Sequence, residues 1–120
     1  MDRDLYHEGL AWKQEGNVLE ALKAFEQAVD ETPESAEVWN EIGLLYDDDG
    51  RASAAAKCYE KAIGLNPHCA KAWNNWGVSF FLREDYREAE TRFKEALRLD
   101  PALESARLNL ADTHEALGEG

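Results

Sequence analysis

Four asparagines fall into two pairs. Asn40 and Asn74 are 34 residues apart, and so are Asn75 and Asn109. An amide side chain donates and accepts at once, so it can pair with the backbone of an extended peptide whatever that peptide's sequence. The same interval separates Leu10, Leu44 and Val78. An apolar column on a helix face that is otherwise wet often marks a binding surface; such a column serves equally well to pack one helix on another. A third group is the run Asp47-Asp48-Asp49, just before Gly50. Carboxylates at a helix C-terminus oppose the macrodipole, at about 0.3–1 kcal/mol each when exposed. A basic ligand or a cation would offset that cost, although a solvated acidic turn is the simpler reading. The oxygens of the run are not spaced like those of a calcium loop, so no metal is expected there.

Catalytic chemistry lacks its parts. No glycine-rich phosphate loop is present, and no nucleophile stands at a recognisable spacing from a base. His7, His68 and His114 lie far apart in the chain, and each reads as a surface or capping residue. Cys58 and Cys69 are too few for a disulfide framework. They read as reduced, partly buried thiols. With His68 they fall short of a zinc ligand set. The expectation is a protein that is not an enzyme and uses neither cofactor nor metal.

These candidates must be carried by helices. Shifted by 34 residues, Trp39 falls on Trp73, Gly43 on Gly9 and Gly77, Ala55 on Ala21 and Ala89, Ala62 on Ala28 and Ala96, and Pro67 on Pro33 and Pro101. Such a period signals stacked repeats. Trp39, Ile42, Gly43 and Tyr46 follow the i, i+3, i+4, i+7 spacing of one helix face, and Ala55, Tyr59 and Ala62 form a second face. Gly50 stops the first helix, and proline closes the unit. Each unit is therefore a helical hairpin, with small residues allowing close approach. A single hairpin cannot bury both its helices, so the units must stack. Expected helices run over about 2–14, 17–30, 36–48, 51–64, 70–82, 86–98 and 103–117. Thr32-Pro33, Asn66-Pro67 and Asp100-Pro101 each read as an N-cap followed by a helix-opening proline. Glu84-Asp85 stands where the other units have glycine. The last helix has Arg107 and His114 where a repeat would have aromatic residues, as suits a cap with one side in water.

The pattern Trp39, Ile42, Gly43, Tyr46, Ala55, Tyr59, Ala62, Pro67 resembles the tetratricopeptide repeat (TPR) family. Trp73, Trp76, Gly77, Phe80, Ala89, Phe93, Ala96 and Pro101 repeat it. Leu5, Glu8, Gly9, Trp12, Ala21, Phe25, Ala28 and Pro33 do so with one departure, the charged Glu8. The resemblance implies an all-α, right-handed superhelical solenoid. It would contain three helix-turn-helix units, at about 2–35, 36–69 and 70–103, plus a C-terminal capping helix, all in one domain over 1–120. It also implies a concave groove lined by the first helix of each unit. Tyr6, Leu10 and Lys13 would line it in unit one, with Arg3. Glu37, Asn40, Glu41, Leu44, Asp47 and Asp48 would line it in unit two. Lys71, Asn74, Asn75, Val78 and Phe81 would follow in unit three, then Leu108 and Asn109 in the cap. The asparagines resemble the ladder of some TPR grooves, including those attached to glycosyltransferases. Another TPR subclass clamps the C-terminal carboxylate of heat-shock chaperones. Here Tyr6 and Leu10 stand where that pattern has Lys and Asn, Glu41 where it has Asn, and Asn75 where it has Arg. Only Lys71 fits, which argues against that ligand.

The formal net charge is −12. Nucleic acid is a poor partner for such a chain, since phosphate neutralisation needs Lys and Arg, and an anionic membrane is disfavoured for the same reason. Acids outnumber bases in residues 1–69, whereas 70–103 carries equal numbers. No signal peptide or membrane-spanning run is read, which leads to the expectation of a soluble, cytoplasmic protein. The expected function is a non-catalytic scaffold that binds an extended or helical, basic segment of another protein in the groove. The alternatives are a self-assembling homo-oligomer and a substrate-selecting module of a larger enzyme such as a glycosyltransferase.

Overall fold

The computed structural model describes residues 4–118. These form seven α-helices: α1 (Leu5–Gln14), α2 (Val18–Glu31), α3 (Ala36–Asp48), α4 (Ala52–Leu65), α5 (Ala70–Leu82), α6 (Tyr86–Leu99) and α7 (Glu104–Ala116). Two compact units are resolved, Met1–Leu65 and Asn66–Gly120. In the first, α1 packs on α2, α2 on α3 and α3 on α4; in the second, α6 packs on both α5 and α7.

The 34-residue spacing of Gly9, Gly43 and Gly77 has one cause. Each glycine lies under an aromatic ring from the second helix of its own hairpin. A Cβ there would sit 2.4 Å from Phe25, 2.6 Å from Tyr59 and 2.5 Å from Phe93, respectively. The rings are fully buried, as are Ala21, Ala55 and Ala89 beside them. Around this seam the first unit gathers Leu5, Val29, Val38, Ile42, Leu45 and Cys58. The second buries mainly alanines: Ala72, Ala89, Ala96 and Ala106, all at 0% exposure.

Each hairpin turns through a left-handed residue. Gly16 and Gly50 have φ of 79° and 76°, and Glu84 takes the same place at φ 62°. The next residue closes the helix end: Asn17 N–H donates to Trp12 O, Arg51 to Tyr46 O, and Asp85 to Phe80 O, at 2.8–3.0 Å. This is a 6→1 helix-terminating bond. In the third hairpin the turn is thus made against the steric preference of an L side chain.

The prolines do not open helices, contrary to the sequence expectation. Thr32 and Asp100 instead end α2 and α6. Each Xaa-Pro begins a four-residue turn, closed by Ser35 N–H to Thr32 O, Cys69 N–H to Asn66 O, and Leu103 N–H to Asp100 O. Proline occupies the second position of the turn, where its fixed φ is favoured. Asn66 and Asp100 add side-chain bonds from the N–H two residues on, the Asx-turn pattern. The helices begin three residues after the proline, and Ser35 rather than Thr32 caps α3. Two of the proline carbonyls anchor an indole six residues ahead. Trp39 Nε1 donates to Pro33 O and Trp73 Nε1 to Pro67 O, both at 2.9 Å.

Candidate functional site

In the first unit the expected groove residues come from α1 and α3. Lys13 Nζ donates to Glu41 Oε2 at 2.7 Å, which ties the two helices across their shared face. Tyr6 and Leu10 are half-buried and pack against the core. The apolar column is therefore partly structural here. Leu44 is also half-buried, whereas Glu37 and Asp48 are exposed. Asn40 is only 6% exposed. Arg3 lies outside the described residues.

The acidic run ending α3 is relieved from within the protein. Tyr59 donates its hydroxyl to Asp47 Oδ2 at 2.8 Å, and Arg51 lies 3.7 Å from Asp49. Burial, reinforced by that acceptor, pushes the Tyr59 phenol far up from its ordinary value. Burial also drives the Cys58 thiol up to about 11, with Asp47 and Glu26 adding to it. A thiol held protonated in this way is a packing group, not a nucleophile. Tyr6 is raised as well, by burial and then by the Glu41 and Glu37 carboxylates.

In the second unit the face belongs to α5 and α7. Asn109 Nδ2 donates to Asn74 Oδ1 at 3.1 Å, and Asn74 Nδ2 donates to Ser105 Oγ at 3.2 Å. Asn74 is 6% exposed. Its amide thus joins helix to helix, a use that spacing alone did not distinguish from ligand binding. Val78 and Phe81 of α5 meet Asn109 and Asp112 of α7 around a pocket of about 40 Å³ floored by Phe93. That volume suits the tip of one side chain. Phe81 is held edge-on by Tyr86, with ring centroids 5.2 Å apart. Leu82 and Leu108 stay 66% and 52% exposed. Lys71 is exposed and Asn75 half-buried. Phe93 carried a readable core signal, but nothing in the sequence marked it as the floor of an open pocket.

On α6, Glu90 gathers Arg87, Lys94 and His114, the last at 2.9 Å from α7. Burial raises the Glu90 carboxyl, but Lys94, His114 and Arg87 together outweigh it and hold it below its usual range. His114, expected on the outer face of a cap, thus fastens α7 to α6. Among the described residues, no group of three or more His, Cys, Asp or Glu is placed to hold a metal ion. No described helix is long and apolar enough to cross a membrane.

A family profile described as Tetratricopeptide repeat matches residues 36–69, and a second of the same description matches 70–103. No curated protein sequence matches the chain significantly. Several solved structures share the fold. The first TPR of Spaghetti (RPAP3), bound to an HSP90 peptide SRMEEVD, has a TM-score of 0.89 at 22% identity, covering 95% of this chain and 90% of that one. The Sgt2 TPR domain from Aspergillus fumigatus has a TM-score of 0.89 at 22% identity, covering 96% and 78%. The Arabidopsis OM64 TPR domain has a TM-score of 0.88 at 18% identity, covering 92% of each chain.

Proposed function

This chain belongs to the tetratricopeptide repeat family, and from that premise we propose that it is a non-catalytic interaction module that binds an extended or helical, basic segment of another protein. One observation carries the reading. The Phe93-floored pocket lies between Val78 and Phe81 on α5 and Asn109 and Asp112 on α7, and the same two helices carry the exposed Leu82 and Leu108. A pocket lined by Val78, Phe81 and one carboxylate, on helices that leave two leucines in water, suits a ligand that has an apolar anchor next to a positive charge. The net charge of −12 favours the same ligand and speeds its approach.

One structural neighbour holds a peptide ending in EEVD. In this chain only Lys71 matches the carboxylate clamp described above, while Glu41 already holds Lys13. An acidic C-terminus would meet Glu37 and Glu41 where it needs cations. Single domain organisation over 1–120 and a cytoplasmic setting belong to this proposal.

A peptide-library screen tests it, with SRMEEVD and the charge-inverted SRMKKVD as reference probes. Basic binders should be enriched, and SRMKKVD should bind at least tenfold more tightly than SRMEEVD. Val78→Asp should weaken the best binder more than tenfold while leaving helicity by circular dichroism unchanged. Tighter binding of SRMEEVD, or indifference to Val78→Asp, would overturn the reading.

A further inference from the structure

A roomier pocket than the one floored by Phe93 lies elsewhere. In the first unit a pocket of about 390 Å³ opens where the start of α1, the end of α2 and the start of α3 converge. That volume is within the range of sites that take a ligand group. Leu5, Ala28 and Val38 line it, each nearly buried. Asp4, Glu31, Thr32 and Ser35 are its polar members, with Tyr6 beside them. No lysine or arginine is among the described lining residues.

Two sources of negative potential meet at the same rim. The last turn of α2 contains no basic residue to complement the helix dipole. Pro33 has no N–H, so the Val29 carbonyl cannot receive its i+4 backbone bond. Glu31, the last residue of α2, pairs with no cation among the described residues. Among the described residues, the His7 ring is bonded to Asp4. Asp4 also caps α1 through the His7 N–H, which leaves Glu31 as the carboxylate open to a ligand.

The third repeat carries different residues at these positions. Advance by 68 residues, and Glu31 becomes Leu99, Ser35 becomes Leu103 and Tyr6 becomes Asn74. There the bond from Asn74 to Ser105 draws α5 and α7 together.

We propose that this pocket receives a lysine or arginine side chain of the bound protein segment. Its aliphatic stem would lie along Leu5, Ala28 and Val38, and its charged head would meet Glu31 and the carbonyl end of α2. A long cationic side chain fits such a socket because its stem is apolar and its tip is not. The inference rests on the peptide-binding reading and adds to it the residue class that enters the first unit.

The test is a ¹⁵N-NMR titration of the whole chain with acetyl-Gly-Lys-Gly-amide and its arginine, norleucine and glutamate counterparts. The lysine and arginine probes should give saturable shifts at the amides of Leu5, Tyr6, Glu31 and Thr32, and the other two should not. Glu31→Gln should weaken the lysine response at least threefold while the dispersed spectrum persists. Equal shifts from norleucine, or no saturable shift at those amides, would overturn the socket. The library binders report separately on α5 and α7. If they still depend on Val78 but ignore Glu31→Gln, the socket fails and the peptide-binding reading stands.

Discussion

The two units fasten their first helices in opposite ways. In the first, an ion pair between Lys13 and Glu41 links α1 to α3. In the second, neutral amides and a hydroxyl run from Asn109 through Asn74 to Ser105 and link α5 to α7. An ion pair on a partly wet face keeps long-range charge, and its strength varies with salt. A neutral chain centred on the buried Asn74 is indifferent to salt, but losing Asn74 leaves its partners unpaired. The shared face of two neighbouring helices can therefore hold a tunable electrostatic contact or a neutral staple.

The largest expected effect should erase the contrast. Gly43→Ala and Gly77→Ala each drive a methyl into a buried ring, and overpacking of this kind costs about 1–3 kcal/mol or more. Urea unfolding should show comparable losses in both variants. A much smaller loss for one would mean that its ring can move aside. Next, Asn74→Ala should cost about 1–3 kcal/mol, because it strands the Asn109 amide and leaves the site short of polar partners. Lys13→Met should cost about 0.2–1 kcal/mol, since its side chain is 33% exposed and that of Glu41 15%. Repeating both at 0.5 M NaCl sharpens the comparison. The Lys13 effect should shrink, and the Asn74 effect should not. Glu84→Gly should then stabilise by about 0.5–1 kcal/mol, because glycine accepts the left-handed turn that Glu84 adopts under strain. Thermal unfolding would register this as a raised Tm.

The smallest effect near neutrality comes from Cys58. Its folded-state pKa of about 11 exceeds the ordinary thiol value. Below about pH 8.5 both folded and unfolded chains keep the proton, and stability is unaffected. As pH rises toward 11 the unfolded thiol ionises first, so stability falls. Cys58→Ala should flatten that decline in urea midpoints measured from pH 8 to 11. An unchanged slope would assign the decline to other groups.

Much of the fold was legible because its causes are periodic. Gly9, Gly43 and Gly77 keep step with Phe25, Tyr59 and Phe93, and helices α3 and α5 begin and end where the spacing places them. The prolines were misread because Xaa-Pro supports both a helix start and a turn, and only the backbone bonds to Ser35, Cys69 and Leu103 choose between them. The candidate site was less legible. Asn74 and Asn75 look alike in sequence, yet a difference of one position on the helix leaves Asn74 6% exposed and Asn75 half-buried. The relief of Asp47 by Tyr59 was hidden because Tyr59 already had a role in the apolar pattern. The Glu31 pocket was hidden because it is shaped by three element ends, which no single periodicity describes.

Trp73 and Trp76 have ring centroids 5.9 Å apart, inclined at 34°. Two indoles at that separation couple their electronic transitions, so the pair should give a paired-sign circular-dichroism band that solitary indoles lack. Trp12 and Trp39 have no such neighbour among the described aromatic pairs. The second unit therefore carries its own optical signature, and its opening can be followed without attaching any label.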